Sequence, residues 1–274
     1  MAPVRPEMQA PQTSGRWADF GVRLASAMVL GPIALLCLWH GGLAWSLFIA
    51  AAVAGMGFEW AKLASLGLNN AGTWLIVAGL LAALALGHFG VIFGFAALAL
   101  ATGIAGLSCG WFAAAGIPYA GVGALSLLWL RLQPAHGLYD TMFLVVVIWS
   151  TDIGAYLVGR LAGGKKLAPK ISPGKTWSGS IGGLLIGGLA AAMLAAEGHG
   201  VDLAALPAGF ALSLFAQAGD LLESWIKRKL GVKDSGRTIP GHGGLFDRLD
   251  GFLAAAPVAA ILALSVHGGL PLWG

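Results

Sequence analysis

Long apolar runs broken by short polar interruptions organise this chain. Nine runs lie near residues 22–39, 43–60, 71–87, 89–107, 111–130, 139–159, 178–196, 203–222 and 251–268. Each approaches the roughly 20 residues with which an α-helix crosses a bilayer. Helix is the expected state, because backbone polar groups in lipid must be satisfied within the segment. The early breaks are short, such as His40-Gly41-Gly42 and Asn69-Asn70. The pattern predicts an all-α, polytopic integral membrane helix bundle of about nine transmembrane helices, with a cytoplasmic N-terminus. Its parts are a cytoplasmic tail (1–21), N-terminal transmembrane helices (22–138) and a C-terminal transmembrane catalytic region (139–274). That last region carries cytoplasmic loops at 160–177 and 227–250. The tail is rich in Pro, Gln and Ser and is expected to be disordered. The first run reads as a retained span, since no small-residue cleavage site closes a short apolar core.

Composition sharpens this picture. Hydrophobic residues make up 58% of the 274 and charged residues 10%, against about a quarter charged in soluble domains. A soluble enzyme is excluded, and so are a disordered chain and a coiled coil. Cys37 and Cys109 have no ligand or disulfide spacing and read as small hydrophobes. His40, His88, His136, His199 and His267 fall in external breaks or the tail, without ligand spacing. Trp39, Trp45, Trp60, Trp111 and Trp129 stand near run ends and read as interfacial anchors. Gly179, Gly183 and Gly187 repeat every four residues, which allows close helix contact within the chain or between protomers.

The net charge of +4 matters less than its placement. With a cytoplasmic N-terminus, all of the 16 Lys and Arg except Arg131 fall on the inner side. This fits the positive-inside rule and an odd number of spans. Arg131, on the opposite face, is expected to matter little.

The two charged loops hold the candidate chemistry. Asp220, Glu223 and Lys227 are spaced i, i+3, i+7 and share one helix face; Asp247 and Asp250 share another at the start of the last run. Carboxylates at the edge of hydrocarbon persist mainly with a partner or a task. Their clustering suggests a hard cation, Mg²⁺ first, whereas the bland reading is a helix cap paired with Arg248. Gly241-His242-Gly243-Gly244 leads into the helix and would let backbone N–H groups reach a phosphate. With Lys227, Arg228, Lys233, Arg237 and Arg248 nearby, this is equipment for phosphoryl or nucleotidyl transfer. Asp152, inside an apolar run, is a functional candidate or a satisfied interhelical partner. The segment Gly163–Thr176 lacks Walker A spacing, and no strand precedes it.

The second loop resembles the signature of phosphatidate cytidylyltransferases (CDP-diacylglycerol synthases). Its fixed positions are Ser224, Lys227, Arg228, Lys233, Asp234, Gly236, Pro240, His242, Gly243, Gly244, Asp247, Arg248 and Asp250. A second shared stretch matches at Asp152, Gly154, Ala155, Tyr156, Ser172, Pro173, Lys175 and Thr176. Two residues beyond that Thr the family usually has Glu; here it is Ser178, and Glu59 or Glu223 could compensate. The resemblance covers residues 145–251, roughly the C-terminal half.

The resemblance implies transfer from CTP to phosphatidic acid, giving CDP-diacylglycerol and pyrophosphate in phospholipid biosynthesis. It implies Asp220, Asp247 and Asp250 as catalytic ligands of Mg²⁺, with a second cation able to share them, and Lys227 as a catalytic cation. Substrate contacts would come from Ser172, Lys175, Ser224, Arg228, Lys233, Asp234, His242, Gly243, Gly244 and Arg248. It also implies a bacterial inner-membrane location with the site facing the cytoplasm, a bilayer-held substrate, no nucleic acid and a homodimer. The competing readings are a transporter of an anionic solute and a CTP-dependent enzyme acting on another lipid.

Overall fold

The computed structural model describes residues 16–196, 203–236, 238 and 243–265, with side chains from residue 28 onward. The expectations for the tail before Arg16 and for Arg237, Pro240, Gly241, His242, His199 and His267 lie outside the described residues.

Helices form where the apolar runs stand: α1 (Arg16–His40), α2 (Gly42–Leu63), α3 (Ala71–Gly87), α4 (Val91–Cys109), α5 (Trp111–Arg131), α6 (Gly137–Ala162), α7 (Trp177–Ala195), α8 (Leu206–Lys229) and α9 (Phe246–Ser265). Among the described residues, seven helical stretches are long and apolar enough to cross a membrane, the one at α8 including the 3₁₀ turn Leu203–Ala205; Met28–His40 of α1 and α3 are shorter. Several helices outrun their apolar core. Helix α1 begins at Arg16 rather than 22, and α8 continues to Lys229 rather than 222. Good helix formers such as Leu, Glu, Lys and Arg carry the backbone past the hydrocarbon.

The bundle is inside-out in composition. Its outer surface shows Leu43, Phe89, Leu107 and Leu161 to the surroundings. The centre belongs to α5: 72% of its most apolar window is buried, against 28–44% for the other six spans. Helix α5 packs between α4 and α9 and also touches α2 and α3. The glycine stripe of α7 is covered within the chain by α6. A Cβ at Gly179 would lie 2.7 Å from Ala155 O, and one at Gly183 would lie 2.7 Å from Thr151 O.

One expectation is corrected here, the anchor role of Trp45 and Trp60, and two features are added, a short hairpin and a capping role for Arg131. The loop at 160–177 contains an antiparallel hairpin, β1 (Lys166–Ala168) and β2 (Ser172–Thr176), paired Lys166 to Thr176 and Ala168 to Ser172. A turn at Pro169-Lys170, closed by Ile171 N–H donating to Ala168 O at 3.1 Å, joins the strands. Trp45 and Trp60 are core residues, each 4% exposed. Their indole N–H groups donate to Leu127 O and Phe112 O, so the amphipathic ring is satisfied inside the bundle. Trp39 and Trp111 are exposed, as anchors would be. Arg131 is a helix cap: its Nε donates to Leu38 O at 2.6 Å and its Nη2 to Trp39 O at 2.9 Å. Carbonyls at a helix C-terminus lack intrahelical donors, and an arginine from α5 supplies them for α1.

Candidate active site

The charged residues gather at the end of the bundle where α6 meets the hairpin and α8 meets α9. Because α8 stays helical beyond its apolar stretch, Glu223 and Lys227 lie one turn apart. Lys227 Nζ stands 2.5 Å from Glu223 Oε2 and 2.5 Å from Asp247 Oδ1 in the first turn of α9. One ammonium thus joins two carboxylates on two helices. Glu223 is buried, where an unpaired carboxylate would cost several kcal/mol.

Asp220 has a different partner. Its Oδ2 pairs with Lys175 Nζ, carried by β2, and Ser224 Oγ donates to its Oδ1 over a long 3.4 Å. Asp250 sits across the crossing of α8 and α9. Gly219 makes that crossing tight, since a Cβ there would lie 2.4 Å from Asp250 O. Asp250 Oδ1 accepts from Gly251 N–H at 2.7 Å. Asp152 on α6 is exposed and lies within electrostatic reach of Asp220, Asp250 and Lys175.

The three expected metal ligands therefore divide. Asp220 is held by Lys175 and lies within electrostatic reach of Asp250 and Asp152, while Asp247 belongs to Lys227. Asp247 Oδ2 is also spent: it accepts from Gly244 N–H (2.8 Å), Ser235 N–H (3.1 Å) and Ser235 Oγ (3.0 Å). It reaches back over its own helix start in the manner of a capping box. Among the described residues, no three Asp, Glu, His or Cys side chains converge as ligands of one ion. The expected cage of Asp220, Asp247 and Asp250 is not assembled. Asp220, Asp250 and Asp152 still fit a hard divalent cation in donor type, and their three charges exceed the one that Lys175 offsets. Asp247 fits only if Lys227 leaves it.

Of the backbone donors expected to cradle a phosphate, Gly241 and His242 lie outside the described residues, and Gly244 is taken up within the protein. Gly244 N–H is committed to Asp247, and Leu245 and Phe246 N–H to Glu59. The protein's own anions fill the helix N-terminus. Gly243 adopts a left-handed backbone at φ 85°, which glycine accommodates without strain.

The remaining site residues surround this pair of clusters. Arg228 fastens the hairpin to α8: its Nε donates to Ile171 O (3.2 Å) and its Nη1 to Val232 O (3.3 Å). Ser172 is half-buried in β2, and Lys233, Asp234 and Arg248 are exposed. Thr176 caps α7 by accepting Gly179 N–H at 3.1 Å. Ser178, where the family usually has Glu, donates to Gly163 O and contacts Thr176 Oγ1, closing the base of the hairpin. Glu59 and Glu223 are each engaged elsewhere and do not replace that Glu at its position.

Sequence reasoning missed Ser235, Thr238 and Tyr119, and it named Glu59 only as a stand-in. Tyr119 stacks on Phe246 at 5.3 Å between ring centroids, its hydroxyl buried on the side of Glu223, Asp250 and Asp220. An acidic residue within an apolar run was the available signal for Glu59.

Comparison with known proteins covers nearly the whole chain. Residues 21–266 match a family described as "Cytidylyltransferase family". The phosphatidate cytidylyltransferase of Brucella suis biovar 1 is 46% identical over 252 residues, 87% of this chain and 91% of that protein. The phosphatidate cytidylyltransferase of Staphylococcus saprophyticus is 42% identical over 152 residues, 55% of this chain and 57% of that protein.

Proposed function

The chain belongs to the cytidylyltransferase family, and from that premise we propose that it is a phosphatidate cytidylyltransferase. It converts CTP and phosphatidic acid to CDP-diacylglycerol and pyrophosphate in phospholipid biosynthesis. The observation that carries this reading is near full-length similarity to phosphatidate cytidylyltransferases, joined to signature residues meeting at one end of the bundle. A phosphate oxygen of the lipid attacks the α-phosphorus of CTP, and the bond to the β-phosphate breaks. The nucleophile is already anionic, so the barrier is repulsion between two phosphates rather than removal of a proton.

The chain's own cations meet that barrier. Lys175 and Lys227 each rest on a carboxylate and are placed to pass to phosphate oxygens as substrate enters. Lys233 and Arg248 are exposed at the same end and add positive potential for the triphosphate. Asp220 and Asp250 would hold Mg²⁺, with Asp152 nearby, and a second cation could share these carboxylates; Asp247 would join after Lys227 moves. When bound, Mg²⁺ supplies neutralisation of the triphosphate. Ser172, Ser224, Arg228, Asp234, His242 and Gly243 are kept as substrate-facing residues; Gly244, buried with its N–H on Asp247, is not. The site is assigned to the cytoplasmic face of a bacterial inner membrane, supported by the charge asymmetry. A homodimer would have to use a surface other than the α7 glycine stripe.

Purified protein supplied with CTP, Mg²⁺ and phosphatidic acid should form CDP-lipid and release pyrophosphate in equal amounts. No CDP-lipid from an active-looking, folded preparation would overturn the assignment. CDP-lipid formed only from a different phospholipid acceptor would instead support the related enzyme class.

A further inference from the structure

A polar link between the N-terminal helices and the signature loop runs through Glu59 in α2, far from that loop in sequence. Glu59 is 4% exposed and lies within hydrogen-bond distance of four donors between Ser235 and Phe246, the Ser235 hydroxyl being shared with Asp247. Its Oε1 accepts from Leu245 N–H at 2.8 Å and from the Thr238 hydroxyl. Its Oε2 accepts from Phe246 N–H at 3.1 Å and the Ser235 hydroxyl at 3.2 Å. Two of the four donors are backbone amides at the start of α9, where a helix lacks its own acceptors and favours an anion. Glu59 is thus an N-terminal cap delivered by another helix.

The signature's glycines point the same way. A Cβ on Gly236 would lie 2.7 Å from Glu59 Oε1, and one on Gly244 would lie 2.7 Å from Glu59 Oε2. One turn earlier in α2, a Cβ on Gly55 would lie 2.2 Å from Leu245 Cδ1. Gly236 and Gly244 leave open the space that the carboxylate fills, and the Ser235 and Thr238 hydroxyls reach it from beside them. Ser235 ties this arrangement to the reacting end. Its hydroxyl stands between Glu59 Oε2 and Asp247 Oδ2, and its one proton serves one of them at a time. Asp247 in turn holds Lys227.

We propose that Glu59 is a positioning residue for cytidylyl transfer: its carboxylate holds Ser235, Thr238 and the start of α9 in place and, through Ser235 and Asp247, Lys227 as well. The proposal rests on the reading of the chain as a phosphatidate cytidylyltransferase. The N-terminal helices then act in catalysis as well as anchoring, although the signature lies wholly outside them.

The test uses the full-length protein in detergent, as Glu59→Gln and Thr238→Val. Gln keeps the shape but puts an amide group against N–H donors. Thr238→Val removes one donor from an exposed position. For Glu59→Gln, kcat should fall by about tenfold to a hundredfold, with a raised KM for CTP and an unchanged KM for phosphatidic acid. Amide exchange at Leu245 and Phe246 should speed up. Thr238→Val should show the same pattern, more weakly. A folded Glu59→Gln with parental kcat and KM for CTP overturns the proposal. If Glu59→Gln does not fold, Thr238→Val decides: a lower kcat with faster exchange supports the proposal, and parental values overturn it. If the parent protein makes no CDP-lipid, the functional reading fails. The exchange comparison needs no substrate and still decides whether Glu59 holds the loop.

Discussion

Lys227 has two acidic partners, and removing it should hurt in two separable ways. Lys227→Met leaves Glu223 buried without its cation, a loss of about 3–5 kcal/mol, visible as a lower melting temperature in detergent. Adding Glu223→Gln should recover much of that stability without restoring turnover. If the double variant melts no higher than the single one, the pairing is not what holds this region. Asp220→Asn and Asp250→Asn should each lower turnover by about a hundredfold or more while the protein still melts cooperatively. Near-parental turnover at saturating Mg²⁺ would remove both from the site. At this scale the sequence was informative where a polar residue interrupts an apolar run, as with Asp220, Glu223 and Asp250. It was silent on Ser235 and Thr238, which are unremarkable loop residues until Glu59 folds against them. It also grouped Asp247 with Asp250, because spacing along a helix shows a shared face but not which neighbour claims each oxygen.

Helices were legible because their apolar lengths match the hydrocarbon, but their ends were not. Hydropathy ends where the lipid ends, whereas α8 continues until its last-turn lysines and Leu230 close it. The hairpin escaped notice because two strands of three and five residues give no periodicity. Trp45 and Trp60 were misplaced for a similar reason: proximity to a helix end does not reveal which way a ring faces. Arg131 shows the same limit, since charge counting placed it on the outer side and missed its hold on α1. Arg131→Ala should cost about 1–3 kcal/mol through the freed carbonyls of Leu38 and Trp39. Its signature is a lower melting temperature with unchanged turnover per folded molecule. An unaltered melting temperature would mean that water replaces the guanidinium.

For the whole molecule, the apolar runs and one-sided charge conveyed a membrane bundle with chemistry at one end. They could not convey that α5 is central or that α6 covers the α7 stripe, since every span reads alike in hydropathy. The topology is testable by cysteine placement after Cys37 and Cys109 are replaced by serine. A cysteine at Lys170, in the hairpin turn, should react with an impermeant thiol reagent from the cytoplasmic side. One at Gln133, beyond α5, should react from the other side. The opposite pattern would invert the orientation.

Asp152 is exposed on α6, with Ile153 and Tyr156 beside it also turned outward. A lipid moving sideways within its own leaflet would meet one carboxylate and apolar side chains together on this face. Collisions of that kind are counted in two dimensions. Diluting phosphatidic acid with inert phospholipid should slow turnover even when its amount per litre is held constant.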